Sequence, residues 1–308
     1  MRFAPLTIAL AASLLCAGSI GCSGAEDGPP VSEDRGPVAE AYAALTAGEV
    51  ARAEELTAKL DARVQASPHE GMPTFYSGLM RFWRFAEGPP DPNRVLADEM
   101  TTIVDRITRS REFLPNDARV PGFLGLTETL LAMFKSDPAM FEQADNTLAD
   151  SIEMLPAYGY FLRATSKGYQ PANSPGFELA ISDLAKLTEA CGYATDASGS
   201  FQYLSGPQDY QHHVCNNEAI VPHVFEGVFI TYGDYAIKAG FEPDKVRAIY
   251  NSAKNSPTYA EWPYAAELEK RLDQIEERAA LYADQDLIND PALWTAGKLV
   301  CVGCHQKK

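Results

Sequence analysis

Residues 119–156 read RVPGFLGLTETLLAMFKSDPAMFEQADNTLADSIEMLP and contain the clearest structural pattern of the chain. Their apolar and small residues recur at the spacing of α-helices, which predicts two helices joined by a turn. Small residues at the crossing allow the two helices to pack closely, and a proline ends the second helix because it cannot continue one. The positions that define this pair are Leu124, Gly125, Ala144, Leu148, Ser151 and Pro156.

Similar helix pairs recur along residues 38–257, and four of the five predicted pairs end at a proline: Pro68, Pro115, Pro156 and Pro257. The order of small and large residues in the second helix, followed by proline, resembles that of the tetratricopeptide repeat. The resemblance implies an all-α, tetratricopeptide-like array of helix pairs, either an α-solenoid or an irregular helical bundle. It indicates how helices stack and leaves open what they bind.

The repeat domain is predicted to span residues 38–285, with a loop insertion at residues 191–223 that interrupts the repeats. A charged helix from Tyr264 to Asp284 is expected to cap the array. Residues 286–308 follow as a short C-terminal tail.

The amino-acid composition limits the classes of function that this chain can have. The hydrophobic fraction of 46% is sufficient for a buried core, and 42 acidic against 26 basic residues give a net charge of −16. Such an acidic chain repels nucleic acid, and we expect no nucleic-acid partner. The sequence contains no glycine-rich phosphate loop, no G-x-S-x-G and no H-E-x-x-H, so it gives no argument for hydrolysis or phosphoryl transfer.

The N-terminus has the features of an export signal. A short apolar run after Arg2 ends in A-G-S-I-G before Cys22, which resembles the lipobox of bacterial lipoproteins. The resemblance implies a signal peptide at residues 1–21 and lipidation of Cys22. Residues 22–37 are rich in Gly, Pro and acidic residues and are expected to form a flexible tether. We therefore expect an extracytoplasmic protein, periplasm-facing or on the outer membrane, attached to the bilayer through lipid alone.

The loop insertion contains two cysteines and three of the five histidines. Cys191 and Cys215 flank the loop, and in an oxidising compartment they are expected to form a disulfide. The alternative is a zinc site made from these thiols and the histidines.

The C-terminal sequence Cys301-Val302-Gly303-Cys304-His305 resembles the haem-attachment motif of the cytochrome c family. The resemblance implies one covalent haem c, with thioether bonds to Cys301 and Cys304 and with His305 as the proximal ligand of the iron. A Cys301–Cys304 disulfide and a structural zinc site remain alternatives. A complete cytochrome c domain is not predicted, since only three residues follow His305.

The other face of the iron therefore requires a ligand from upstream, or stays open. We expect His223 as the first candidate, because Pro222 fixes the backbone before it, and His212 and His213 as the next. Met72 is a weaker candidate, since methionines in helical repeats are commonly core residues.

Together these patterns predict a membrane-anchored, extracytoplasmic c-type haem protein for electron transfer or redox sensing, rather than an enzyme. Its partner would be a redox protein, and Lys298, Lys307 and Lys308 could orient an acidic one. The alternative is a tetratricopeptide-like scaffold lipoprotein without haem, which binds a peptide or protein in its concave face.

Overall fold

The computed structural model describes residues 36–87, 95–204, 212–217, 221–284, 286 and 289–294. Within these ranges the fold is all-helical, and the β-type pairing there is one isolated antiparallel bridge between Thr195 and Phe201. The helices are α1 (Pro37–Ala47), α2 (Ala53–Ala66), α3 (Gly71–Glu87), α4 (Leu96–Arg111), α5 (Arg119–Lys135), α6 (Pro138–Met154), α7 (Pro156–Lys167), α8 (Pro175–Ala190), α9 (His212–Cys215), α10 (Val224–Lys238), α11 (Pro243–Ser252), α12 (Ala265–Asp273) and α13 (Ile275–Ala283).

Consecutive helices pack closely against one another, which confirms the predicted all-α class and helix stacking. The first helices of neighbouring pairs also touch. Phe75 of α3 lies 5.9 Å from Phe123 of α5 between ring centroids, and Phe85 lies 5.9 Å from Phe134. The earlier residue of α3 meets the earlier residue of α5, and the later meets the later. The two helices therefore run parallel.

Helices α5 and α6 cross at the small residues that the sequence singled out. A Cβ atom added to Gly125 would lie 2.5 Å from Leu148 Cγ and 3.0 Å from the carbonyl oxygen of Ala144. Such distances are shorter than van der Waals contact, so only glycine permits this approach.

Asp137 caps the start of α6, where its carboxylate accepts hydrogen bonds from the backbone N–H groups of Ala139 and Met140 at 3.0 and 3.3 Å.

Buried side chains form two hydrophobic clusters, one drawn from residues 38–162 and the other from residues 157–294. Tyr264 packs against both clusters. None of the helices in the described part of the chain is long and apolar enough to span a membrane.

The predicted single helix from Tyr264 to Asp284 is wrong, because Gln274 separates α12 from α13. Arg271 and Arg278 lie on either side of this turn, and the guanidinium groups of both reach the carboxylate of Asp234.

Candidate functional site at the C-terminal anchor

The residues predicted to attach haem, Cys301, Cys304 and His305, lie outside the described residues. Cys22 lies outside them as well, with the predicted signal peptide and most of the tether. The described segment nearest to the motif is residues 289–294. Its contacts with the helical domain therefore define the site from which the motif extends.

Trp294 is the last described residue before the motif, and its side chain is 4% exposed. Its ring meets Tyr264 edge to face at 4.9 Å and lies 6.1 Å from the ring of Trp262. The guanidinium carbon of Arg271 lies 5.9 Å from the centre of the Trp294 ring. This aromatic packing fixes the point at which the C-terminal segment leaves the domain.

Asp234, in the middle of α10, holds the same point with hydrogen bonds. Its carboxylate accepts from the backbone N–H of Trp294 at 2.6 Å and from the Tyr250 hydroxyl at 2.5 Å. It also accepts from Arg271 Nε at 2.8 Å and from Arg278 at 3.2 Å. We call these five residues the Asp234 cluster; every one is buried.

Burial and neighbouring charges shift the pKa values of two members of this cluster, Tyr250 and Arg271. Burial raises the pKa of the Tyr250 hydroxyl well above its ordinary value, and the neighbouring Asp234 carboxylate raises it further. For Arg271, burial alone would lower the pKa, but the neighbouring Asp234, Tyr250 and Glu267 together more than offset this effect, and the pKa is raised. Tyr250 is therefore a neutral hydrogen-bond donor and Arg271 a cation at any ordinary pH.

Two backbone carbonyls upstream of Trp294 are bound as well. Arg278 donates to the carbonyl oxygen of Ala292 at 3.1 Å, and the Tyr282 hydroxyl donates to that of Pro291 at 2.6 Å. Leu293, the residue before Trp294, is buried as well. We call residues 291–294 the C-terminal anchor.

Chain length then limits where the motif can lie. Seven peptide units join Trp294 to Cys301, so their Cα atoms are at most about 24 Å apart. The predicted haem-attachment residues are thus within reach of the surface around the anchor.

A disulfide and a hydrogen bond link the described parts of the loop insertion to each other. Cys191 and Cys215 form a disulfide with Cα atoms 5.4 Å apart, as expected from the sequence. The Tyr193 hydroxyl donates a hydrogen bond to the carbonyl oxygen of Cys215. Because both sulfurs are bonded to each other, the zinc alternative built on these two thiols is incompatible with this structure.

A buried polar network lies below this loop and is centred on Glu226. The Glu226 carboxylate accepts from Asn217 at 2.7 Å, from Ser256 at 2.8 Å and from Thr258 at 2.9 Å. His223 Nδ1 lies 3.2 Å from the same carboxylate, and the side chain is 3% exposed. These bonds satisfy the buried carboxyl group of Glu226.

The other ligand candidates are spread over the molecule. The backbone of His212 and His213 begins the short helix α9. Met72 is at the start of α3, where its sulfur lies 3.9 Å from the Arg119 guanidinium. Among the described residues no group of three or more His, Cys, Asp or Glu side chains could hold a metal ion.

Comparisons with protein families, with curated proteins and with solved structures find no match for this chain.

Sequence reasoning missed the Asp234 cluster, the principal polar feature of the site. One signal could have indicated it: Asp234 interrupts the mostly apolar sequence V-F-E-G-V-F-I-T-Y-G-D-Y-A-I-K of α10. A carboxylate in such a helix requires buried partners. The sequence does not say that those partners come from α12, α13 and the C-terminal anchor.

Proposed function

We propose that this chain is a membrane-anchored, extracytoplasmic c-type haem protein that acts in electron transfer or redox sensing. The observation that carries the proposal is Cys301-Val302-Gly303-Cys304-His305. Two thiols at this spacing can bond both vinyl groups of one porphyrin, and the adjacent imidazole can bind the iron.

Two features of the helical domain support the proposal. The Cys191–Cys215 disulfide fits an oxidising compartment, and c-type haem is attached outside the bacterial cytoplasm. Hydrogen bonds from α10 and α13 hold the C-terminal anchor on the helical domain, and the predicted motif begins seven residues after Trp294.

Each residue of the motif has one role in this proposal. Cys301 and Cys304 would hold the haem, and His305 would bind its iron. When bound, the haem would supply a one-electron Fe(III)/Fe(II) couple. Cys22, through its lipid, would keep the protein at the membrane, and Lys298, Lys307 and Lys308 would orient an acidic redox partner. The net charge of −16 argues against nucleic acid as a partner.

The sixth position of the iron has candidates of unequal support. The contact of His223 with Glu226 is of the kind that fixes the orientation of a metal-binding imidazole. Its burial weighs against it, because atoms of the domain already cover the ring. His212 and His213 remain proposals that rest on the sequence.

The test is covalent haem on the purified protein. The full chain should be produced in a bacterial periplasm that contains haem-attachment enzymes. It should then stain for haem after denaturing electrophoresis and gain the mass of one haem. Cys301→Ala/Cys304→Ala should lose both signals, whereas the matched pair Cys191→Ala/Cys215→Ala should keep them. A wild-type mass equal to the bare polypeptide would refute the proposal and favour the haem-free scaffold.

A further inference from the structure

A partly buried carboxylate, that of Asp61 on α2, meets two arginines from the neighbouring helices α3 and α4. It accepts hydrogen bonds from the Ser77 hydroxyl at 2.6 Å and from the Arg81 guanidinium, both on α3. Nη2 of Arg106, on α4, lies 3.4 Å from Oδ1 of the same carboxylate. The side chains of Asp61 and the two arginines are between 18% and 29% exposed. We call Asp61, Ser77, Arg81 and Arg106 the Asp61 cluster.

Close packing of α3 against α4 brings the two arginines together. A Cβ atom added to Gly78 would lie 2.7 Å from Ile107 Cγ1 and 3.3 Å from Arg106 Cβ. Glycine therefore lets α4 approach α3 beside the position of Arg81. Ser77 and Arg81 are four residues apart on α3, so they share one helix face and reach the same carboxylate. The arrangement of the Asp61 cluster is thus set by the packing of α2, α3 and α4.

The Asp61 cluster carries more positive than negative charge. In the described part of the chain, neither Arg81 nor Arg106 forms an ion pair with a second acidic residue. The Asp234 cluster differs in this respect, because Glu267 adds a second carboxylate to its two arginines. Nε of Arg81 is also buried without a hydrogen-bond partner among the described residues. A partly buried charge without compensation is unfavourable, so an added anion would be stabilised at this position.

Two further arginines extend the positive charge along α3 and α4. Arg84 and Arg109 each follow an arginine of the cluster by three residues, a spacing that keeps both members of a pair on one helix face. Arg84 forms no ion pair with any residue that the structure describes, and Arg109 donates to the carbonyl oxygen of Pro68 at 3.4 Å. Asp105 precedes Arg106 in the sequence, but adjacent positions on a helix do not face each other. Unpaired positive charge is therefore concentrated here, in a chain whose net charge is −16.

We propose that the Asp61 cluster, together with Arg84, binds a phosphate group, carried either by a small soluble compound or by a lipid headgroup. A guanidinium group presents its N–H donors in a planar fork that matches two oxygens of a phosphate. Asp61 holds Arg81 in place, whereas Arg84 and Arg106 have donors left for a ligand. Partial burial strengthens the attraction, because charges are screened less there than in water. The site takes no part in the predicted haem chemistry.

Titration with inorganic phosphate tests the site. The full-length wild type should show saturable binding in calorimetry at low ionic strength. Arg106→Gln and Arg84→Gln should each raise the dissociation constant about tenfold or more, because each removes hydrogen bonds from a charged donor to the phosphate. The matched control Arg247→Gln removes the same charge from an exposed pair with Glu276 and should bind phosphate like the wild type.

Asp61→Asn should change the affinity in the opposite direction. Without its negative charge, the two arginines of the cluster have no internal anion, so phosphate should bind more tightly. Such a gain cannot result from damage to the fold, which would weaken binding. Absence of saturable binding by the wild type, equal affinities of Arg106→Gln and the wild type, or weaker binding by Asp61→Asn would overturn the proposal.

Vesicles of phosphatidylethanolamine and phosphatidylglycerol distinguish the two sources of the phosphate group. The full chain with Cys22→Ala is the starting protein, because the predicted lipid anchor would otherwise bind it to any bilayer. If the ligand is a headgroup, this protein should co-sediment with the vesicles, and Arg106→Gln in the same background should release it. If it stays in solution but binds inorganic phosphate, the ligand is a soluble phosphate compound.

Discussion

The backbone N–H of Trp294 donates a 2.6 Å hydrogen bond to Oδ2 of Asp234, which lies 60 residues earlier in the chain. The same carboxylate binds Arg271, Arg278 and Tyr250. One buried side chain of α10 therefore joins α11, α12, α13 and the segment that leads to the predicted haem motif. The attachment of the described C-terminal segment to the domain therefore depends on this carboxylate.

Asp234→Asn should destabilise the protein strongly, because it removes the buried charge that pairs with the guanidinium groups of Arg271 and Arg278. Removal of one partner from a buried ion pair costs about 3–5 kcal/mol. We expect a loss of that order in chemical unfolding, together with a red shift of tryptophan fluorescence as Trp294 becomes hydrated.

Glu267→Gln is the matched control for that substitution. Glu267 also pairs with Arg271, but its side chain is 40% exposed. Exposed pairs contribute about 0.2–1 kcal/mol, so this change should have a small effect. Equal losses in the two variants would show that Asp234 has no special role.

The Cys191–Cys215 disulfide closes the loop insertion against the domain. Its replacement by Cys191→Ser/Cys215→Ser should cost about 2–5 kcal/mol of unfolding free energy. Peptide mapping without reductant should recover the two cysteines as one linked pair. In the double variant, added reductant should cause no further loss of stability, and recovery of both wild-type residues as free thiols would contradict the assignment.

The buried Glu128 side chain should make the free energy of unfolding depend on pH. Its side chain is buried between α5 and α6, and burial raises the pKa of its carboxyl group. The folded state therefore retains a proton that the unfolded state releases above its ordinary pKa of about 4.3. Stability from this group is present below that pH and is lost as the pH rises toward the folded-state pKa.

Glu128→Gln should accordingly be more stable than the wild type at neutral pH and equal to it near pH 4, a value set by the unfolded-state pKa of about 4.3. Unfolding experiments over this range measure the difference. Glu142→Gln, an exposed site on α6, is the control and should show no such trend. A pH profile of Glu128→Gln that runs parallel to the wild type would exclude a titrating Glu128.

Cys22→Ala tests the membrane anchor. The wild type should partition into the detergent phase of a two-phase extraction, since acylation at Cys22 adds long apolar chains. Cys22→Ala should stay in the aqueous phase, and mass spectrometry should find no lipid on its N-terminal peptide. Identical partitioning of the two proteins would refute lipidation at this residue.

Much of the helical architecture could be predicted from the sequence. The pairing of α5 with α6 follows from helical spacing around Gly125 and Leu148, and the prolines mark where helices end. These signals are local, because a helix is formed by residues three and four positions apart. The disulfide could also be predicted, since Cys191 and Cys215 flank the one long break in the repeats.

The haem motif was likewise read from the sequence, and it stays a prediction because Cys301, Cys304 and His305 lie outside the described residues. The sequence alone could not decide which residue would be the sixth ligand of the iron in the predicted haem. Sequence favours His223 because it lies in an irregular loop, whereas the structure buries its ring beside Glu226. The solvent exposure of a side chain depends on how the whole molecule packs, so it cannot be inferred from the order of residues alone.

The sequence by itself determined the all-α class, the helix pairs and the position of the cysteine motif, because each depends on residues that are near neighbours along the chain. Only the tertiary structure decided that the helix after Tyr264 breaks at Gln274 and that Trp294 is anchored on Asp234. The physical reason is that a buried carboxylate must be neutralised by whichever donors the packing brings to it. Here those donors are 16 to 60 residues away, and their spacing follows no local period.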